Sequence, residues 1–375
     1  MNLPLVDGHC HTVVGGPVDD EAFALWCTEA SVPAPPGVSY LDSPLGMAVR
    51  RWCPPVLDLP VGAPIESYLE RRRELGPAEV NRRMLSAAGL SALLIDTGLP
   101  GPKLPGPDLL DPAAVGRAAG AVVGEVVRLE YVAERVAAGT SAHGFAEAFG
   151  DALSTAARNA VAVKSVLAYR HGLDIEPDRP STSDVRAAAG QWLRGREAGE
   201  ARRLTEPVLL RHLLWCGIDT GLPVQLHTGF GDRDLALARS DPALLQPFCA
   251  AVEPTGVPLV LLHCYPYHRQ AGWLAQVYPN VYVDIGLTMS HVGAGAGAVL
   301  AELMELAPFG KLLYSSDAYG LAELYLVGAA QFRYWLGRLL DTWVSEQAMP
   351  PEDAERLAFM LGAGNARRVY RLDGG

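Results

Sequence analysis

Leu3-Pro4-Leu5-Val6-Asp7-Gly8-His9-Cys10-His11 begins as an apolar run and ends in two histidines one residue apart. Side chains on an extended strand alternate between its faces, so His9 and His11 point to the same side and can reach one ion. Seven further Val-, Leu- and Ile-rich runs follow the first one at 3 to 7. They lie at 91 to 96, 125 to 131, 160 to 167, 223 to 227, 258 to 263, 281 to 285 and 311 to 315. Between them are longer stretches with apolar residues at helical spacing, among them 146 to 158, 202 to 217, 242 to 252, 296 to 307 and 320 to 340. Strand alternating with helix predicts an α/β fold, and eight such runs suit a closed parallel (β/α)8 TIM-like barrel. The rival, an open doubly wound sheet, calls for a GxGxxG turn after its first strand, and the His-rich end found here is wrong for cradling phosphate.

Residues 1 to 375 read as one barrel with insertions. The segment from 13 to 88 is too long for a single crossover and carries Pro33, Pro35, Pro36, Pro54, Pro55 and Pro60, which predicts several helices inserted after strand one. Barrel active sites sit at the C-terminal ends of the strands, so this insertion is expected either to cover the pocket as a lid or to pack peripherally, as a subdomain or dimer contact. Residues 98 to 112 read as a long surface loop after strand two. The Pro/Asp/Ser-rich piece 174 to 184 and the charged 194 to 206 region make a long loop after strand four that could also cap the site.

Composition narrows the field further. With 49% apolar and 19% charged residues the chain is built to bury a core, and a net charge of -11 is wrong for displacing counterions from nucleic acid. The six cysteines fall in no CxxC or regular framework, which fits a reducing, cytoplasmic setting. No signal peptide and no apolar run of about 18 residues is found, so neither export nor a membrane partner is expected. The expected partner is a small-molecule substrate, with homo-oligomerisation left open.

Beyond His9 and His11, Val224-Gln225-Leu226-His227 and Leu259-Val260-Leu261-Leu262-His263 each end an apolar strand in histidine, and Lys311-Leu312-Leu313-Tyr314-Ser315-Ser316-Asp317 ends in a carboxylate. Imidazole and carboxylate groups on one rim suit Zn²⁺ and related divalent ions, with an open position for water. Lys164 closes the fourth run among Val161, Val163 and Val166, and Tyr169 and Arg170 follow it. A guanidinium there could grip a substrate carboxylate. Glu130 could bind substrate, fix a neighbouring ligand or make an ordinary ion pair. His291 could reach the pocket from the loop after strand seven. His143 and His212 fall in helical patterns and His268 begins a helix, while alternation turns Cys10 and Cys264 away from the rim.

The ordered set, HxH on the first strand and His, His and Asp on the fifth, sixth and eighth, resembles the amidohydrolase superfamily. Together with Lys164-Ser165-Val166-Leu167-Ala168-Tyr169-Arg170-His171-Gly172-Leu173, Leu226-His227-Thr228-Gly229, Tyr314-Ser315-Ser316-Asp317-Ala318 and Gly364-Asn365-Ala366-Arg367-Arg368, it looks like the amidohydrolase-2 type. Within that type it is similar to the domain found fused to glutamine-synthetase-like domains in some fungal and plant proteins. The resemblance implies that His9, His11, His227 and Asp317 ligate a divalent metal, most simply one Zn²⁺. It implies that Asp317 moves a proton between water and the leaving nitrogen while His263 stabilises an oxyanion. Lys164 would be either a charged substrate contact or, if carboxylated, the bridge to a second ion. The implied reaction is hydrolysis of a C–N bond, amide or γ-glutamyl-type. The same ligand set also serves decarboxylases of unsaturated or aromatic acids and some sugar-acid isomerases, and a catalytically silent binding barrel is a further alternative.

Overall fold

The computed structural model describes residues 3–98, 108–197 and 203–372. The centre of the expected 98 to 112 loop and residues 198 to 202 of the expected post-strand-four loop lie outside the described residues.

Seven parallel strands form one sheet in chain order: β1 (Leu5–Cys10), β2 (Leu90–Asp96), β3 (Val122–Arg128), β4 (Ala160–Ser165), β5 (Val224–Thr228), β6 (Leu259–His263) and β7 (Val281–Val283). β1, β5 and β6 are buried along their whole length, as befits parallel strands covered on both faces. β3 begins and ends three residues earlier than its apolar run suggests, because Leu129 already opens the helix Leu129–Val136. β4 stops at Ser165, where the short helix Leu167–Arg170 takes over.

The eighth run, 311 to 315, is not a strand. Its neighbour β7 has only three residues, and the chain beyond it turns at Asp317, whose φ is 50°. The segment still links both edges of the curled sheet. The Leu313 N–H donates to Val283 O at 2.9 Å, and the Gly8 N–H donates to Tyr314 O at 3.0 Å. Asp317 N–H then donates to His9 O at 3.0 Å.

Side chains divide between an inner cluster and an outer one. Val6, Ala92, Leu94, Val126, Ala162, Val260, Leu262 and Leu313 meet inside the curl, where small residues save space, and Ala366, Val369 and Tyr370 of the helix Asn365–Tyr370 join them. The larger outer cluster packs the opposite faces of the strands against the helices.

The insertion after β1 holds four α-helices, α1 (Asp20–Trp26), α2 (Pro44–Trp52), α3 (Ile65–Leu75) and α4 (Pro77–Ala88), and a 3-10 turn, Pro54–Leu57. Asp19 caps α1 through the Ala22 N–H at 2.8 Å, and Ser43 caps α2 through Gly46 N–H at 3.1 Å with Pro44 at the first helical position. A buried ion pair between Arg72 of α3 and Glu323 ties the insertion to the helix Ala322–Ser345, and the Tyr68 hydroxyl also donates to Glu323 at 2.8 Å. His143 lies in a turn before the helix Phe145–Ala157 rather than in a helix, whereas His212 and His268 are helical as expected. No helix among the described residues is long and apolar enough to cross a membrane.

Candidate metal centre

Strand ends bring His9, His11, His227, His263 and Lys164 to one rim of the sheet, and the turn after residue 315 adds Asp317. One Asp317 oxygen lies 3.3 Å from His9 Nε2 and 3.5 Å from His11 Nε2, and its other oxygen lies 3.5 Å from His263 Nε2. The His227 and His263 rings are 4.6 Å apart between centroids. Lys164 Nζ is 2.9 Å from His9 Nε2.

The tautomers of the first two histidines follow from their partners. Gln225 donates from its amide nitrogen to Gly8 O at 2.6 Å, which leaves its oxygen as the acceptor for His9 Nδ1–H at 2.8 Å. His11 Nδ1–H likewise donates to the Asp96 carbonyl at 3.2 Å. Both rings therefore turn the Nε2 lone pair towards Asp317, the form a metal ligand needs. Gln225 also donates to the Tyr370 hydroxyl at 2.9 Å, so the inner helix braces His9 through one side chain.

Asp317 is aimed by Asp7, which lies buried in β1. Asp7 accepts from the Ser316 N–H at 2.8 Å and from the Ser316 hydroxyl at 2.5 Å. Asp317 and His263 both sit at positive φ, 50° and 70°, a region costly for residues with a side chain and held here by the surrounding bonds. Asp284 contributes to that hold by accepting from the His263 N–H at 2.8 Å.

Burial and mutual charge shape the titration. Burial, then the Lys164 ammonium, lower His9 to about 4, and burial lowers His263 to about 3. Burial lowers Lys164 to about 8 against the pull of Asp317 and Asp96. Burial pushes the Asp317 carboxyl up, but the imidazoles of His263, His11 and His9 outweigh it and hold the group well below the usual range.

Asp96, at the end of β2, is a site residue that the sequence reading missed. With His9 and His11 it forms a buried trio whose donor atoms lie within 4.8 Å of one another. Its carboxylate is already engaged, accepting from Arg128 Nε at 3.0 Å and Nη2 at 2.6 Å and from the Gly98 N–H at 2.8 Å. Asp317 is therefore the freer carboxylate beside the two histidines. The signal for Asp96 was its place at a strand end, the same one that marked Asp317.

A metal fits these residues on hydrogen-bond accounting. His227 Nε2 and both ring nitrogens of His263 are buried without a hydrogen-bond partner, a state that native interiors rarely tolerate unless something else satisfies the atoms. Imidazole nitrogen and carboxylate oxygen are donors suited to a borderline divalent ion.

The centre opens into a cavity of about 640 Å³ lined by His11, His227, Asp317, Lys164, Tyr169 and Arg170, with Glu29 and Ser31 from the insertion. The Tyr169 ring lies 4.5 Å from that of His227. Gly231 packs into this contact, since a Cβ there would come 2.0 Å from the Tyr169 oxygen and 3.0 Å from His227 Nε2. Arg170 lines the cavity while paired at 2.9 Å with Glu134. Glu130 sits behind the wall, accepting from the Ser165 hydroxyl at 2.6 Å and the Val166 N–H at 3.0 Å, so it braces the end of β4. His291 borders a neighbouring cavity, its Nε2 3.8 Å from Glu29 and its ring against Phe230. Cys10 and Cys264 are buried.

Comparison with known proteins agrees with this geometry. The structure superposes on a protein of Lactobacillus casei classed as a metal-dependent hydrolase, with a TM-score of 0.84 and 28% identity over 99% of this chain and 96% of that one. It shares its fold with a glucuronate isomerase of Caulobacter crescentus, at a TM-score of 0.67 and 15% identity over 100% of this chain and 92% of that one. In sequence it is 33% identical to the protein fluG of Emericella nidulans over 237 residues, which is 57% of this chain. The chain spans about a quarter of that relative's length, 26%. A sequence model of the amidohydrolase family matches residues 100–372, and the chain belongs to that family.

Proposed function

We propose that the chain is a metal-dependent hydrolase that cleaves a C–N bond, amide or γ-glutamyl-type, in a small molecule. The observation that carries this reading is one carboxylate, Asp317, within 3.5 Å of three imidazoles in the lining of a cavity, beside buried histidine nitrogens without partners. His9, His11, His227 and Asp317 would hold the ion, and the donor set favours a single Zn²⁺. When bound, the ion supplies Lewis-acid polarisation of the scissile carbonyl and lowers the pKa of water.

The remaining work falls to the chain's own side chains. Asp317 takes the proton of the attacking water on its carboxylate and passes it to the leaving nitrogen, a shuttle that its position among the imidazoles allows. His263, neutral and with Nε2 facing Asp317, places a donor where negative charge gathers on the carbonyl oxygen. Lys164 offers its ammonium as a substrate contact. Tyr169 covers His227 and limits access of bulk water to that side. Glu29 and Ser31 bring the insertion to the mouth of the cavity as part of a lid.

The test is metal removal with a chelator and reconstitution with Zn²⁺, followed by product analysis on amide and γ-glutamyl amide substrates. Release of amine and acid only in the reconstituted protein is the expected result, and Asp317→Asn should lose on the order of 10² to 10⁴ of the rate while keeping its fold. Release of CO₂ or isomerisation of a sugar acid would replace this reading with a decarboxylase or an isomerase. Full activity of the metal-free protein or of Asp317→Asn would refute it.

A further inference from the structure

A second cavity, of about 330 Å³, adjoins the one at the metal centre, and Glu29 lines both. Its wall joins three parts of the chain. The insertion brings Glu29, Val38, Tyr40 and Leu45, the loop after β5 brings Phe230, and the short helix Thr288–His291 brings His291. No step of the reaction described above uses this space, yet the segment that carries His291 hangs from the metal centre. The Leu287 N–H donates to Ser316 O at 3.0 Å, and the Thr288 hydroxyl donates to His263 O at 3.1 Å. The insertion holds the same segment from outside: Gly293 sits at a φ of 52°, and a Cβ there would come 2.6 Å from Pro44 O of α2. His291 is therefore fixed from two sides.

One atom in that wall calls for a partner. A carbonyl only accepts, so the 3.0 Å bond between His291 Nδ1 and Leu287 O fixes a proton on Nδ1. Burial lowers the ring's pKa, which keeps it neutral and leaves Nε2 as a lone-pair acceptor. That nitrogen is buried and has no hydrogen-bond partner. The Glu29 carboxylate, 3.8 Å away, is beyond hydrogen-bond length and is itself an acceptor, so it cannot serve. Phe230, packed edge-on against the ring with 5.2 Å between centroids, offers only carbon. Buried acceptors in native interiors are nearly always satisfied, and whatever satisfies this one must donate. Val38 and Leu45 add apolar surface, so a single placed acceptor stands in a partly apolar wall, a usual form of small-molecule pocket.

We propose that this second cavity takes the amine half of the scissile amide, an amphipathic group whose far end carries a hydroxyl or N–H that donates to His291 Nε2. The assignment to the amine half rests on the C–N hydrolase reading, whereas the demand for a donor does not. His291 thereby becomes a specificity residue rather than a catalytic one. A methyl group presented to Nε2 leaves its lone pair dry, and a carboxylate sets acceptor against acceptor; both forfeit the bond that a hydroxyl makes. Among amides of one acid, the protein would then choose by the far end of the amine. The insertion takes part in that choice, since Val38 and Leu45 belong to it.

The experiment is an NMR titration of the Zn²⁺-loaded protein with two matched pairs of amides that share the smallest practical acyl group. These are N-acetyltyramine with N-acetyl-4-methylphenethylamine, and N-acetyl-4-aminobutanol with N-acetylpentylamine. Each pair exchanges only a terminal hydroxyl for a methyl. The hydroxyl member of at least one pair should bind about ten-fold more tightly than its partner, the size of one hydrogen bond to an otherwise unmatched buried acceptor. His291→Leu should shrink that preference to under about three-fold without weakening the methyl member. His291→Gln, which keeps an acceptor oxygen, should retain the preference. Zinc content and circular dichroism establish that each variant is folded. Equal affinities within both pairs, a preference that survives His291→Leu, or binding of none of the four overturns the proposal. No probe has to be cleaved, so a failure here is distinct from a failure of the C–N hydrolase reading: cleavage of γ-glutamyl amides without this preference would leave that reading standing.

Discussion

Gln225→Leu removes the side chain that sets the His9 tautomer while keeping the volume of the site. Gln225 is fully buried and makes hydrogen bonds to His9 Nδ1, Gly8 O and the Tyr370 hydroxyl at 2.8, 2.6 and 2.9 Å. In the leucine variant all of these partners stay buried, and each unmatched group costs about 1–3 kcal/mol. Burial of the leucine offsets about 2 kcal/mol, so a net loss of stability of about 1–7 kcal/mol is expected. Metal affinity should suffer separately. With no acceptor at Nδ1, His9 can carry its proton on Nε2, the nitrogen that faces Asp317, and loss of such an orienting bond typically costs 10- to 100-fold in affinity. That is about 1.4–2.7 kcal/mol. Zinc affinity can be read by competition with a chromophoric chelator, with urea unfolding of the metal-free protein as the stability control. Gln225→Glu separates the two effects. A carboxylate still accepts from His9 Nδ1–H but sets oxygen against oxygen at Gly8, so stability should fall while affinity largely holds. If Gln225→Leu binds zinc within two-fold of the parent, the tautomer argument is wrong, and so is the role given to His9 Nε2.

Gly231→Ala places a methyl where the Tyr169 hydroxyl now lies, 2.0 Å away, and 3.0 Å from His227 Nε2. Zinc affinity should drop on the order of ten-fold, and an unchanged competition titration would show that His227 does not need this space. Glu323→Gln leaves the Arg72 guanidinium buried without its counter-charge. The thermal midpoint should fall with a loss of about 3–5 kcal/mol, whereas a midpoint within a degree would mean that α3 is held by its apolar contacts alone. Asp284 gives a pH signature. Burial raises its carboxyl from 3.8 to about 6, so the folded state binds a proton more tightly than the unfolded one. The stability this gives is complete below about pH 4 and is lost as the pH rises through about 6, a change of about 3 kcal/mol. Asp284→Asn keeps an acceptor for the His263 N–H and should remove that component from urea midpoints measured between pH 4.5 and 7.5. Parallel profiles for the two proteins would refute the assignment.

The grouping at the candidate metal centre was legible in the sequence because each member ends or closely follows an apolar run. His9, His11, His227, His263 and Asp317 are brought together by the parallel order of the sheet, which the alternation of strand and helix implies. Gln225 was within reach of the same reasoning. It stands two residues before His227 on β5, hence on the same face, but an amide in an apolar run draws no notice until its partners are known. Asp96 and Arg128 end their strands in the same way, but their role shows only in the ion pair that joins β2 to β3, which neither strand reveals alone. Strand eight was misread because apolar content marks burial rather than pairing, and a three-residue β7 offers too short an edge for a ladder. Glu29 and Phe230 were out of reach altogether. They sit in irregular segments, where no period relates sequence position to direction, and only tertiary packing such as Phe230 against His291 sets where they point.

The segment that joins β7 to β1 has a consequence for how the protein comes apart. The sheet's circumference is completed there by isolated bonds rather than a ladder: Leu313 bonds Val283 on one side, while on the other Gly8 bonds Tyr314, Asp317 bonds His9, His11 bonds Ala318 and Gly320 bonds Thr12 and Val14. Parting of the wall at this seam would draw Asp317 away from His9, so mechanical failure of the ring and loss of the candidate metal centre are one event. A ligand held jointly by both residues would act as a clasp on the whole circumference, adding about 4 kcal/mol of resistance to opening at a thousand-fold excess over its dissociation constant.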